Sequence, residues 1–156
     1  MVSRFSNALV RVVEAGLWLG FLALIVTVGL QVVARNVFRI PLIWTLDVAQ
    51  LLFSWLIFIG AAIAFRKGAH YTVDILPASK AWLNAVLAVV GFLAAALVTY
   101  VLIVPGFTLV SIRTGGSIPS LGISTLWLYL PIPLAGLILA VFLIEALVAR
   151  IGRRPS

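Results

Sequence analysis

A chain of 156 residues has room for one domain, and with 64% apolar and 10% charged residues it departs far from the roughly 45–50% apolar and 25% charged composition of soluble domains. No cysteine, one histidine and four scattered acidic residues are too few for a disulfide, a thiolate metal site, a haem or a paired-carboxylate active site, so no enzyme, metal or cofactor is expected. In so apolar a chain the net charge of +7 indicates membrane topology and contact with anionic lipid rather than nucleic-acid binding.

Four uncharged stretches predict four membrane-spanning helices, because a helix needs roughly 17–25 residues to cross hydrocarbon. The first span is expected over residues 15–34, and it is expected to be retained because no clear small-residue cleavage site follows it. The second is expected over residues 48–65, with Pro41 breaking the chain before it. All four spans are assigned to a single membrane domain, residues 1–156.

Prolines interrupt the third and fourth spans. The third is expected over residues 82–104, ending or kinking at Pro105 within an uncharged stretch of 32 residues. A segment rich in turn formers follows, and the fourth span is expected over residues 125–149. Pro131 and Pro133 lie inside it. Membrane helices tolerate prolines when neighbouring groups satisfy the freed carbonyls, so these two favour a packed bundle over a lone helix.

The basic residues predict the orientation of the spans. Four spans place both termini and the connection between spans two and three on one side, which carries eight Lys and Arg residues against three on the other. Lys and Arg accumulate in short cytoplasmic loops, so both termini are expected in the cytoplasm. The predicted fold is therefore an all-α integral membrane four-helix bundle with cytoplasmic termini.

Small and polar residues fall on one face of the first two spans. Such faces let helices approach closely in lipid, where packing and hydrogen bonds replace the hydrophobic drive. The sequence leaves open whether these faces pack within the chain or against a partner. The candidate packing or partner-contact residues are Gly16, Gly20, Asp47, Gln50, Ser54, Gly60 and Ala61.

Charged residues near the span ends have structural explanations. Glu14 is expected to pair with Arg11 three residues before it, and Glu145 lies about one turn before Arg150. A proton-coupled carrier needs an ionisable residue within the membrane, so this placement counts against an autonomous antiporter. Among the five tryptophans, Trp55 alone has no expected position at a membrane interface.

Three segments carry a family resemblance. Gln31-Val-Val-Ala-Arg-Asn-Val-Phe38 follows the first span, Trp44-Thr-Leu-Asp47 opens the second, and Trp55-Leu-Ile-Phe-Ile-Gly-Ala-Ala-Ile-Ala-Phe-Arg66 leads into a connecting loop. That loop contains Arg-x-Gly-x-His-x-x-Val-Asp, formed by Arg66, Gly68, His70, Val73 and Asp74. Over nearly its whole length the chain resembles the small, Q-type (DctQ-like) membrane subunit of a tripartite ATP-independent periplasmic (TRAP) transporter.

The resemblance implies a bacterial inner-membrane protein that does not itself bind or move substrate. It implies two protein partners besides membrane lipid: a large membrane subunit with the sodium-coupled transport site, and a periplasmic binding protein that delivers an organic acid. The small subunit would act as a scaffold that stabilises the large one. Arg35, Arg39 and Arg113, on the outer side, would be candidate contacts for the periplasmic protein. Alternatives are a self-contained homo-oligomeric carrier or channel, and an anchor subunit of a respiratory complex.

Overall fold

Four long helices make up most of the protein. The computed structural model describes residues 2–69 and 81–152. The long helices are α1 (Val2–Asn36), α2 (Ile43–Ala69), α3 (Ala81–Arg113) and α5 (Pro131–Gly152). Between α3 and α5 lie two short antiparallel strands and one helical turn: β1 (Ser117–Ile118), β2 (Ile123–Ser124) and α4 (Leu126–Tyr129).

The lengths and apolar surfaces of these helices fit a membrane. Within the described residues, four helical stretches are long and apolar enough to cross it: Val10–Asn36, Ile43–Arg66, Val86–Arg113 and Leu126–Val148. Most of their side chains are not covered by the protein itself, since between 6% and 33% of the most apolar part of each stretch is buried. Apolar surface of this extent requires hydrocarbon or a partner around it. The predicted four-span, helical membrane fold is confirmed, with the small β-hairpin as an addition.

The third helix is longer than the sequence predicts. It continues through Pro105 to Arg113, so residues 105–112, which follow the expected end of the span, are also helical. Proline removes one backbone donor, but a membrane helix tolerates this loss when packing holds the helix in place. Here the next residue, Gly106, lies directly against the start of α5.

The long helices pack in the order α1–α2–α5–α3. Small side chains let α2 and α5 approach closely, since Ala62 and Ala135 are almost wholly buried there with Ile59 and Leu139. A second buried cluster joins Val10 of α1 to α2 and α5. The helices α1 and α3 therefore lie at opposite ends of the packing order, which the sequence did not reveal.

Two glycines allow the contact between α3 and α5. A Cβ atom on Gly136 would lie 2.8 Å from Ile103 Cγ1 and 3.1 Å from Ile103 backbone nitrogen. A Cβ on Gly106 would lie 3.1 Å from Ile132 Cγ2. Because the backbone of one helix meets the other at Gly136, a larger residue there would force the helices apart.

The connection between α1 and α2 reverses direction through an unusual residue. Ile40 N–H donates to the Ala34 carbonyl at 3.0 Å, and Arg39 adopts a positive φ of 56°. Residues other than glycine seldom occupy this left-handed region. Arg35, in the last turn of α1, and Arg39, in the turn that follows it, are both exposed.

Candidate functional site

The glycines of α1 have different surroundings. A Cβ on Gly20 would contact Leu56 Cδ2 of α2 at 3.4 Å, which is ordinary van der Waals distance. A Cβ on Gly16 would meet nothing within 4 Å, and Gly16 is exposed. The structure therefore places Gly20 in packing within the chain and Gly16 on the outer surface of α1.

The polar residues of α2 likewise include some that bind within the chain and one that lies exposed. Ser120 Oγ donates to Asp47 Oδ2, and Ser54 Oγ donates to the Leu128 carbonyl at 2.7 Å. Asp47 and Ser54 thus tie α2 to the segment between α3 and α5. Gln50 lies exposed on α2 and makes no hydrogen bond with the described residues.

An exposed stripe runs along the side of α2 that bears Gln50. Its members recur every three or four residues, as one helix face requires. The stripe therefore belongs to a helix with a neighbour on each side, since α2 packs between α1 and α5. Gly60, which is partly buried, lies beside the stripe, and a Cβ there would meet no atom within 4 Å. The exposed stripe consists of Leu46, Gln50, Phe53, Ile57, Ala61 and Ala64.

A tryptophan inside α2 contributes an unexpected polar contact. The Trp55 indole N–H donates to the Trp127 carbonyl at 3.0 Å. Trp127 lies four residues before Pro131, which has no N–H to offer that carbonyl. The sequence carried both signals, a tryptophan away from either interface and a proline inside a span, but nothing in it connected them.

Charged side chains of α2 and α5 meet near the ends of these helices. Arg66 Nε lies 3.6 Å from Glu145 Oε2, and the two side chains are only 13% and 24% exposed. The guanidinium carbon of Arg66 also lies 5.1 Å from the ring centroid of Phe142, a cation–π contact. Glu145 therefore has a partner on another helix, although the sequence placed it only near Arg150.

The rest of the polar loop motif is only partly described. Arg66 and Gly68 both lie within α2, and Gly68 is exposed. His70 and Asp74 lie outside the described residues. The motif therefore contributes Arg66 to helix packing, and its remaining roles stay predictions.

The three arginines that the sequence predicts on the outer side do not form one cluster. Arg35 is exposed in the last turn of α1 and Arg39 in the turn that follows it, whereas Arg113 ends α3. These helices lie at opposite ends of the packing order. The Arg113 guanidinium carbon lies 5.8 Å from the Tyr129 ring centroid. Arg113 therefore already makes a cation–π contact within the chain.

The comparisons decide the family. Residues 24–153 match the family described as "Tripartite ATP-independent periplasmic transporters, DctQ component". The chain belongs to the DctQ family. A segment of 62 residues is 39% identical to the sialic acid TRAP transporter permease protein SiaT of Haemophilus influenzae (strain 86-028NP). That match covers 38% of this chain but only 10% of the relative, so the similarity spans a small part of a much longer protein.

Membership of the DctQ family confirms the predicted resemblance. The protein is a component of a TRAP transporter and a multi-pass protein of the inner membrane. The family is one of transporter components, not of enzymes. In the described residues no group of three His, Asp or Glu side chains is arranged to hold a metal.

The polar groups of this DctQ protein mostly serve its own packing. Asp47, Ser54 and Trp55 bind the segment before α5, and Arg66 binds Glu145. Apolar and aromatic side chains line a shallow groove on α1: Trp18, Leu19, Phe21, Leu22 and Ile25. The arrangement suits helix packing and contact with lipid or protein.

Proposed function

We propose that this DctQ protein is the scaffold that holds the large membrane subunit of a TRAP transporter in place. The large subunit would carry the sodium-coupled transport site, and a periplasmic binding protein would deliver an organic acid. One observation carries the proposal: the hydrogen bonds and ion pair described between its helices fasten them to one another, and their outer surfaces remain apolar. A protein built in this way can hold a neighbour but offers little to a polar substrate.

A carrier that moves its substrate site across the membrane needs a second element that stays still. A single helix tilts easily in lipid, whereas several helices joined by close backbone contact resist tilting together. The contacts between α2 and α5 and between α3 and α5 supply such a joined unit.

The exposed stripe of α2 is the proposed contact with the large subunit. Gln50 places an amide on a surface that lipid would otherwise cover, and polar side chains in spans commonly bind another helix. Ala61 and Gly60 leave room for that helix to approach. Gly16 of α1 is a second candidate, whereas Gly20, Asp47 and Ser54 are already used within the chain.

The outer arginines are the proposed contact with the periplasmic protein, with Arg35 and Arg39 as its main part. Both are exposed, and their charges suit an acidic surface. Arg35→Ala/Arg39→Ala should lower sodium-driven uptake more at limiting than at saturating binding-protein concentration. An equal loss at both concentrations would argue against docking at this place.

Co-purification tests the proposed function. The chain, tagged and extracted in mild detergent from its native membrane, should retain a much longer polytopic membrane protein, which mass spectrometry would identify. Recovery of the chain alone as a stable homo-oligomer would contradict the scaffold role. It would favour the alternative of a self-contained carrier, and transport by the isolated chain would then be measured in liposomes.

A further inference from the structure

The junction between α4 and α5 lacks a helical hydrogen bond. Leu130 N–H donates to the Leu126 carbonyl at 2.8 Å, closing the turn of α4. The next bond of a continuous helix would join residue 131 to the Trp127 carbonyl, but Pro131 has no N–H. The junction lies at the start of the candidate span Leu126–Val148. Within a span, a carbonyl that proline leaves without its helical donor is satisfied by a donor from a neighbouring helix.

Two consecutive residues of α2 supply donors at this junction. The Trp55 indole donates to the Trp127 carbonyl at 3.0 Å. Ser54 Oγ donates to the adjacent Leu128 carbonyl at 2.7 Å. Both side chains are partly buried. Trp55 thus occupies the bonding position that Pro131 leaves empty.

The same turn connects helices that lie apart in the packing order. α4 packs against both α2 and α3, whereas α5 lies between α2 and α3. On the α3 side, Arg113 lies over the ring of Tyr129, the last residue of α4. A turn fixed on both sides would hold α2 and α3 at one separation.

We propose that Trp55 is a positioning residue that replaces the amide lost at Pro131 and so fixes α4 as a bridge between α2 and α3. The inference goes beyond the scaffold role, because it concerns how the chain holds its own helices. It stands whether or not a partner binds the stripe of α2.

A double-mutant cycle tests the link between Trp55 and Pro131. Trp55→Phe should lower the Tm of the purified chain in detergent by roughly 2–4 °C, since one membrane hydrogen bond is lost in a chain of this size. In a Pro131→Ala background, residue 131 regains an N–H that can donate to Trp127. The same Trp55→Phe change should then lower the Tm by less than half as much.

Trp44→Phe is the matched control, because Trp44 lies exposed on the same helix. Its effect on the Tm should be the same in the parent and in the Pro131→Ala background. Equal Tm losses from Trp55→Phe in both backgrounds, or no loss in the parent, would overturn the proposal. If Trp55→Phe does not fold, adding Pro131→Ala should restore a folded protein. Failure of that rescue would also overturn it.

The bridging role has its own measurement. The chain contains no cysteine, so Leu46→Cys on α2 and Ile112→Cys on α3, both exposed, can carry spin labels without further changes. Double electron–electron resonance should give one narrow distance distribution in the parent. Trp55→Phe should broaden it, and adding Pro131→Ala should narrow it again. An unchanged distribution in Trp55→Phe would contradict the bridge.

Discussion

Gly136 marks a place where two helix backbones meet. Its missing Cβ leaves room for Ile103 and Leu102 of α3, which would lie 2.8–3.1 Å from that atom. Gly136→Ala should destabilise the chain by about 1–3 kcal/mol, the usual cost of forcing extra volume into a packed site. Unfolding in mixed detergent micelles, followed by circular dichroism, measures the loss.

Gly91→Ala is the matched control for that change. Gly91 lies on α3, is exposed, and would place its Cβ within 4 Å of nothing. Alanine also favours a helix more than glycine does, so the stability should stay the same or rise slightly. Equal losses from Gly91→Ala and Gly136→Ala would show that helix propensity, not the contact with α3, explains the effect.

Glu145 forms an ion pair with Arg66 in which both side chains are largely shielded from solvent. Removing one charge of a poorly exposed ion pair leaves the other without its compensation, although a separation of 3.6 Å indicates a moderate attraction. Glu145→Gln should therefore destabilise the chain by about 1–3 kcal/mol, between the values for exposed and buried pairs. The free energy of unfolding checks this.

An exposed charge serves as its control. Arg11→Gln changes an exposed side chain of α1 and should alter the free energy of unfolding by no more than about 0.5 kcal/mol. A Glu145→Gln loss no larger than this would mean that the contact with Arg66 does not stabilise the packing of α2 on α5.

At the scale of residues, the sequence located the polar and small groups but not their partners. The polar face of α2 with Asp47, Gln50 and Ser54 was visible from spacing alone. Which members bind inside the chain depended on the hairpin and α4, whose positions are set by tertiary contacts. Trp55 was conspicuous but unexplained, because its partner is a backbone carbonyl 72 residues away in the chain.

At the scale of elements, the stripe of α2 gives a testable surface. Ala61→Trp would place a large ring on the proposed contact and should reduce the recovered large subunit at least tenfold. Ala94→Trp is the matched control, because Ala94 is exposed on α3 at one end of the packing order. It should leave recovery unchanged, and both variants should keep the parent's Tm.

Equal recovery with the two tryptophan variants would place the contact away from the stripe of α2. Reduced recovery with Ala94→Trp alone would assign the contact to α3 instead. Either result would leave the family assignment intact, since that rests on the sequence match over residues 24–153.

The helices themselves were largely predictable, because long uncharged apolar stretches have few other stable forms in a membrane. The course of α3 through Pro105 was not, since proline allows either an end or a continuation depending on packing. The strands of two residues each are too short for a periodic signal. The packing order was hidden because most faces of all four spans are apolar, so no single face indicates its neighbour.

At the scale of the whole molecule, the charge distribution predicts an orientation. Eight of the eleven Lys and Arg residues lie near the termini, at the end of α2 or just before α3, so this side should face the cytoplasm. Single cysteines at Ser3 and at Gly115 would test it in intact spheroplasts with a membrane-impermeant maleimide. Only the Gly115→Cys variant should react. Labelling of Ser3→Cys alone would show that the orientation is the opposite of the one predicted.

The scaffold role is tested most directly by uptake in proteoliposomes with a sodium gradient, the binding protein and its organic acid ligand. The large subunit together with this chain should transport, the large subunit alone should lose at least 90% of that rate, and this chain alone should show none. Full transport by the large subunit without this chain, or transport by this chain alone, would contradict the account.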